Sequence, residues 1–311
     1  MPASIELVRA GNWLFATGVR GAASPELFRR IEAALIEAGS SMSRVARLDQ
    51  YYADFSCVPP YQAARKHAFQ GRQVAPSTSV VVSRLRDSAS QVDLQLIAAT
   101  AASGYAPREV DTGLNRPDSS AYAPCLRVGE LLFVAGQLAR DDSGALAAHG
   151  VAAETRYIVE RRLVPALQAA ESALDLVLKA QVYVSGEARE FRSAWPAAVP
   201  TTVIPVRHPA FLTREATVEV NVVAAHRSAR GRMRNIDGKA RLLDGLLFVG
   251  GLDTLEQAAE IFAAAGTDLS HVVRALFFHA AGEARAAQEF PSTALEVREG
   301  TTIDLWGYVP Q

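Results

Sequence analysis

Cysteine is nearly missing from this chain: Cys57 and Cys125 are the only two in 311 residues, and no CxxC spacing occurs. That excludes a disulfide framework and a cysteine-built zinc fold, and it suits a reducing compartment, so a cytoplasmic location is expected. Net charge is missing as well. The 32 Lys+Arg and 33 Asp+Glu leave −1, which gives the molecule no overall pull toward nucleic acid or an anionic membrane. No apolar run approaches the roughly 18 residues a bilayer span needs. The opening MPASIELVRAGNW lacks the basic-then-apolar layout of a signal peptide. His67, His149, His208, His226, His271 and His279 are scattered without HxH or HExxH spacing, so no metal site is expected. There is no GxGxxG leading into a helix, no Walker lysine and no GxSxG elbow. No organic cofactor is expected either.

What the sequence does have is repetition. GNWLFATGV at Gly11, GELLFVAGQ at Gly129 and DGLLFVGGL at Asp244 are versions of one apolar strand. Repeats of long period signal a fold built from copies. Each strand precedes an amphipathic helix. In the first copy Ser24 suits an N-cap, Pro25 the first turn and Gly39 the exit, while Leu27, Ile31, Leu35 and Ala38 share one face. In the second, Pro165 removes a backbone donor and should bend the helix. The third copy is shorter, with Gly266 at the exit. A strand follows each helix (RVARLDQYYADF, LVLKAQVYVS, VVRALFFHAA), then a second helical stretch: Tyr61 to Gly71, GEAREFRSAW, and GEARAAQEF. Two further strands close each copy.

The order strand, helix, strand, helix, strand, strand reads as α+β, with helices on one face of each sheet. The units fall at residues 1–103, 122–228 and 241–311, joined by linkers at 104–121 and 229–240. The basic run AHRSARGRMRNIDGKA reads as a phosphate-binding segment or as a solvated crossover. The absence of interleaved aromatics favours the crossover.

The stretches GELLFVAGQLARDDSG, ETRYIVERRLVPALQAAESALDLVLKAQVYV and LIEAGSSMSRVARLDQYYADF carry a resemblance to the RidA/YjgF family, also known as endoribonuclease L-PSP. The resemblance implies a barrel of three units around a threefold axis, with sheets inside, helices outside and clefts at the seams. Three fused units would then form a pseudo-trimeric barrel from a single chain, a monomer in trimer shape, with further dimerisation left open. An apolar inner sheet face should be covered by neighbouring units, with Val80, Val82, Val218, Val220, Val222, Ile303 and Leu305 in the sheets. Chorismatases and cyanuric acid hydrolases are monomeric enzymes of related units, but their characteristic motifs are not found here.

The resemblance also implies a site: an arginine in P-x-R-[ST] that grips a substrate carboxylate, an acid on the last strand, a tyrosine before the first strand and a hydroxyl within it. The arginine position falls on Ser77, near Pro200, and on Pro291 or Ser292, so the arginine is absent from every copy. The acid is retained as Asp93, Glu219 and Asp304, at one register in the three copies. The tyrosine survives as Tyr122 and the hydroxyl as Thr17. Arg20 and Arg140, which follow the first strand, are candidates to replace the lost cation. An acid on an apolar strand is costly to bury unless it is paired or used. Each acid therefore reads as a general base or water-orienter, or as a carboxylate that locks the sheet.

The expected function is a cofactor-free, Rid-like hydrolase or deaminase acting on a small polar metabolite at a seam. The rival is a non-catalytic binder or assembly protein with degenerate sites. A ribonuclease would need a basic, aromatic-lined cleft, which the composition does not favour. Cys125, three residues from Tyr122, reads as a buried apolar residue more readily than as a nucleophile.

Overall fold

The structure, a computed structural model, describes residues 5–114, 122–196, 198–280 and 292–310. It is a mixed α+β fold of three sheets, with five, six and seven strands, and none of them closes on itself. We label four principal strands per unit. Unit 1 has β1 (Trp13–Gly21), β2 (Val45–Tyr52), β3 (Ser77–Val81) and β4 (Val92–Ala99). Unit 2 has β5 (Leu131–Gln137), β6 (Val177–Val184), β7 (Thr201–Pro205) and β8 (Val218–Ala225). Unit 3 has β9 (Leu246–Leu252), β10 (Val272–His279), β11 (Thr293–Glu296) and β12 (Thr301–Tyr308). In each unit the last strand lies between the first and second and antiparallel to both, and the third runs parallel to the second. Unit 1 also lends a short strand, Arg84–Leu85, to the edge of the third sheet beside β11.

The helices form where the apolar spacing places them. α1 (Pro25–Glu37) buries Leu27, Phe28, Ile31 and Leu35 against its own sheet, and the chain leaves through Gly39 at φ 76. Ser24 takes the N-cap backbone conformation without a side-chain cap bond. α2 (Val58–Ala68) starts earlier than expected because Pro59 and Pro60 fit its first turn. The long helix of unit 2 divides into α3 (Val151–Tyr157), a π-helical stretch Ile158–Leu163, and α4 (Val164–Ala169). Pro165 cannot donate to the preceding turn, and the wider turn of the π segment absorbs that break. α5 (Ala188–Ala194) and α6 (Leu255–Ala265) complete the set, and Thr254 caps α6 through the Gln257 N–H. The second helix expected in unit 3, GEARAAQEF, lies outside the described residues.

Each sheet has an apolar core against its own helices. Val218, Val220, Val222, Ile303 and Leu305 belong to those cores. These five residues face their own helices, while Val80 and Val82 lie in a core shared between units, so the expected cover by neighbouring units holds for part of the set. The alternate residues face the neighbours, and many of them are polar: Lys179, Gln181, Glu219 and Asn221 are all buried. Two further cores are shared. One gathers Phe15, Phe133, Phe248 and Trp306; the other gathers Val80, Tyr51, Tyr183 and Phe278. The last three come from matching positions of β2, β6 and β10, and their ring centroids lie 6.2, 6.3 and 6.4 Å apart.

Candidate functional site: three seams

The third strand of each unit abuts the next unit. β3 meets β5, β7 meets β9 and β12, and β11 meets β1. Glycines permit the close approach. A Cβ on Gly18 would lie 3.0 Å from the Ser292 carbonyl, and one on Gly251 would lie 3.0 Å from Thr202 Cα.

Register decides which residues correspond. Phe15 pairs with Ile97, Phe133 with Val223 and Phe248 with Trp306. Four residues before each partner stand Asp93, Glu219 and Thr302. Asp304 is therefore not the counterpart of the other two acids. It matches Gln95 and Asn221, one inward-facing step further along. The motif similarity of VDL, VEV and IDL concealed this shift, which only strand pairing exposes. The lost arginine moves too. Counting P-x-R from Pro76 and Pro200 reaches Thr78 and Thr202, one residue beyond Ser77 and two beyond Pro200, and sheet register makes Thr293 their counterpart. Ser77 is buried on the opposite side of β3 from Thr78.

At the seam of units 3 and 1, Asp93 is fully buried. Arg20 Nε donates to its Oδ2 at 2.8 Å, and Thr293 Oγ1 donates to Oδ1 at 3.0 Å. Arg20 also reaches the Ser292 carbonyl at 3.3 Å, and Gly18 N–H donates to Thr293 Oγ1 at 2.8 Å. Burial raises the Asp93 carboxyl to about 6, against the pull of Arg20 and Thr293. Arg20, a candidate ligand cation, is thus committed to a protein carboxylate. Thr17 lies half-buried in the β1 bulge next to Gly18.

At the seam of units 1 and 2, Glu219 is 5% exposed. Burial pushes its carboxyl up to about 8, opposed first by Arg140 and then by a hydrogen bond from the Ser79 N–H and the charge of Arg47. It forms no ion pair among the described residues. Gly136 makes room for it: a Cβ there would fall 1.9 Å from Glu219 Oε1. Arg140 donates to Thr213 Oγ1, and its buried Nε has no partner among the described residues. Tyr122 is half-buried in the neighbourhood of Arg65 and Arg162. Arg162 Nε donates to Gln137 Oε1 at 3.2 Å, and Gln137 pairs with Val220, the neighbour of Glu219. Arg65 and Arg162 were not anticipated. They sit in helical stretches, where an arginine ordinarily reads as a solvated residue; both are buried.

The seam of units 2 and 3 holds a cavity of about 400 Å³ lined by Phe191, Arg192, Trp195, Lys239, Asp253 and Thr302, among others. Thr202, at the arginine position, has no partner for Oγ1 among the described residues.

Asp304 belongs to a buried charged layer that joins all three units. Arg47, Lys179 and Arg274 follow matching bulges in β2, β6 and β10. Arg47 Nε bonds Asp49 at 2.9 Å and Nη1 bonds the Val134 carbonyl of unit 2 at 3.3 Å. Arg274 bridges Asp49 and Asp304, each at 3.1 Å. Lys179 directs hydrogen bonds to the Val249 and Leu305 carbonyls of unit 3, and its ammonium lies 2.9 Å from Asp304 Oδ2. Burial lowers the Lys179 ammonium to about 8 despite Asp304. Asp304 is thus held within this layer, two residues from the register that Asp93 and Glu219 share. Burial also raises the Cys125 thiol to about 12, which removes it as a nucleophile. The basic run is tied down by ion pairs: Arg227 to Glu171 at 2.6 Å, Arg230 to Asp175 at 2.5 Å and Arg232 to Asp244 at 2.8 Å.

Comparison with known proteins places these seams in context. Residues 113–226 match the family model described as Endoribonuclease L-PSP. A solved chorismatase aligns over 72% of this chain and 78% of its own, at 12% identity and a TM-score of 0.57, and so shares the fold. The yeast protein YEO7 aligns over 39% of this chain and 99% of its own, at 20% identity and a TM-score of 0.35. Rv2704 of Mycobacterium tuberculosis, described as a member of the YjgF/YER057c/UK114 family, covers the same shares at 25% identity and a TM-score of 0.32. No curated protein matches the chain in sequence. Among the described residues no helix is long and apolar enough to cross a membrane.

Proposed function

From the membership of residues 113–226 in the endoribonuclease L-PSP family, we propose that the chain is a Rid-like small-molecule enzyme working at the seam of units 1 and 2, with Glu219 as its proton-transfer group. In this reading the three sheets are fused family units set about one pseudo-threefold axis, a reading that the contact of Tyr51, Tyr183 and Phe278 from matching strand positions supports. The observation that carries the proposal is Glu219 itself. It is a buried carboxyl held near 8, without an ion-pair partner among the described residues, in a space that Gly136 leaves open. A carboxyl with a pKa near the working pH can both take and return a proton.

The chemistry that fits is addition of water to an electrophilic carbon. A water proton passes to the Glu219 carboxylate as the oxygen bonds to carbon, and Glu219 returns it to the substrate nitrogen or oxygen; with a C=N bond the new hydroxyl then gives its own proton through Glu219 to that nitrogen as the C–N bond breaks and the carbonyl forms. Arg140 and Arg162 supply positive charge in place of the lost arginine, and Tyr122 supplies a phenolic hydroxyl beside Arg162. A small metabolite bearing an anionic group and a hydrolysable C=N or C–O bond matches this charge layout.

The rival, a binder with degenerate sites, draws support from one observation: Asp93 is sealed by Arg20 and Thr293. The test is a turnover screen of small carboxylates and imines generated from amino acids. A substrate whose turnover falls at least 100-fold in Glu219→Gln sustains the enzyme reading. Binding without turnover across the screen, indifferent to Glu219→Gln, would establish the rival.

A further inference from the structure

We propose that the seam of units 2 and 3 is a second binding site, independent of the Glu219 seam, and that it takes a small zwitterion with an apolar body. The starting point is a local exchange of residues. In unit 1, Arg20 stands opposite Asp93 and closes its seam. In unit 3 the pairing Leu252↔Ile303 puts Asp253 and Thr302 in those two places. The long arginine has become a short acid, and the acid a threonine. The closing ion pair cannot form, and both replacements line the cavity.

The cavity volume of about 400 Å³ lies within the roughly 300–1,000 Å³ typical of small-molecule sites. Its wall is rigid. Phe191 and Trp195 stack with centroids 5.2 Å apart at 28°. The Trp195 indole N–H donates to Thr201 Oγ1 at 2.8 Å, and that hydroxyl donates to the Val199 carbonyl at 2.7 Å. The backbone frame is tied at this point by the Gly250 N–H, which donates to the Lys239 carbonyl at 2.9 Å. A wall locked in this way loses little freedom on binding.

Charge then selects the ligand. Lys239 and Arg192 are exposed cations on the cavity lining, and neither pairs with a carboxylate among the described residues. Asp253 lines the same cavity; its backbone N–H donates to Gln257 Oε1 at 3.0 Å, while its carboxylate has no ion pair among the described residues. A simple anion would be attracted by two groups and repelled by the third, and a simple cation the reverse. A molecule carrying both charges on an apolar body satisfies the whole set.

The test is isothermal titration calorimetry on the full chain with L-phenylalanine, L-tryptophan and L-leucine, alongside 3-phenylpropionate and phenethylamine, which each keep one charge. At least one zwitterion is expected to bind tenfold or more tightly than both one-charge analogues. Lys239→Ala should erase its advantage over phenethylamine, and Asp253→Asn its advantage over 3-phenylpropionate. Both side chains are exposed, so these variants keep the fold. Glu219→Gln should leave the affinity unchanged, which separates this site from the proposed catalytic seam. No binding by any zwitterion, equal binding by a one-charge analogue, or affinity that survives both cavity substitutions overturns the proposal. So does affinity lost with Glu219→Gln.

Discussion

Asp93 and Glu219 stand at the same register of the same strand in two units, yet their surroundings have opposite consequences. Asp93 has a guanidinium at 2.8 Å and a threonine hydroxyl at 3.0 Å, and its carboxyl stops near 6. Glu219 has one more methylene, faces Leu138 where unit 1 has Arg20, and is left near 8. The difference lies in what is paired with the acid: Arg20 forms an ion pair with Asp93, whereas Arg140 and Arg47 act on Glu219 without an ion pair among the described residues. The seam of units 2 and 3 completes the series: it has lost both the cation and the strand acid and opens into a cavity.

The comparison can be broken or sharpened by substitution. The largest effect is expected in the layer both seams share. Arg274→Met breaks two buried ion-pair contacts at once, leaving Asp49 with Arg47 alone and Asp304 with Lys179 alone, and should cost about 3 kcal/mol in chemical denaturation. A cost under about 1 kcal/mol would show that the layer is not what joins the units. Next, Glu219→Gln should lower turnover at least 100-fold, equal to about 2.7 kcal/mol, whereas Asp93→Asn should leave turnover within about threefold. Equal losses from the two would erase the distinction between the seams. Third, Gly136→Ala forces the Glu219 carboxylate to move and should cost about 1–3 kcal/mol. Turnover should fall with it, and crystallography of the variant would locate the displaced carboxylate.

The last comparison is in pH dependence. The folded-state pKa of Glu219 lies above its unfolded value, so the folded chain holds a proton the unfolded chain releases between about pH 4.5 and 8. Its contribution to stability is full below that window and is lost as pH rises through it. Thermal melts of Glu219→Gln against the parent chain should diverge in favour of the variant as pH rises from 5 to about 8. Asp93→Asn should show a narrower divergence, confined to about pH 3.8 to 6. Parallel curves for Glu219→Gln would place its pKa in the ordinary range and remove the basis for its catalytic role.

Much of the local structure was legible before the fold was known. The spacing of Leu27, Ile31 and Leu35 marks the buried face of α1, Gly266 marks the end of α6, and Pro165 marks the π segment, because each effect acts within a turn or two of its cause. Asp93 and Glu219 stood out as acids within apolar strands. The non-equivalence of Asp304 was not legible, since motif likeness cannot detect a two-residue slip that strand pairing settles. Arg65, Arg162 and the ring of Arg47, Lys179 and Arg274 went unnoticed for another reason. A basic residue in a helix or strand has no sequence mark that separates burial from solvation.

The sequence by itself determined the order of elements, the apolar faces and the presence of acids where valine would serve, because those follow from backbone geometry and side-chain polarity over a few residues. Only the tertiary structure decided which acid meets a cation and which does not. That depends on which side chains arrive from another unit, some two hundred residues away in the case of Asp93 and Thr293, and electrostatic energy is set by distance through space and by exclusion of water.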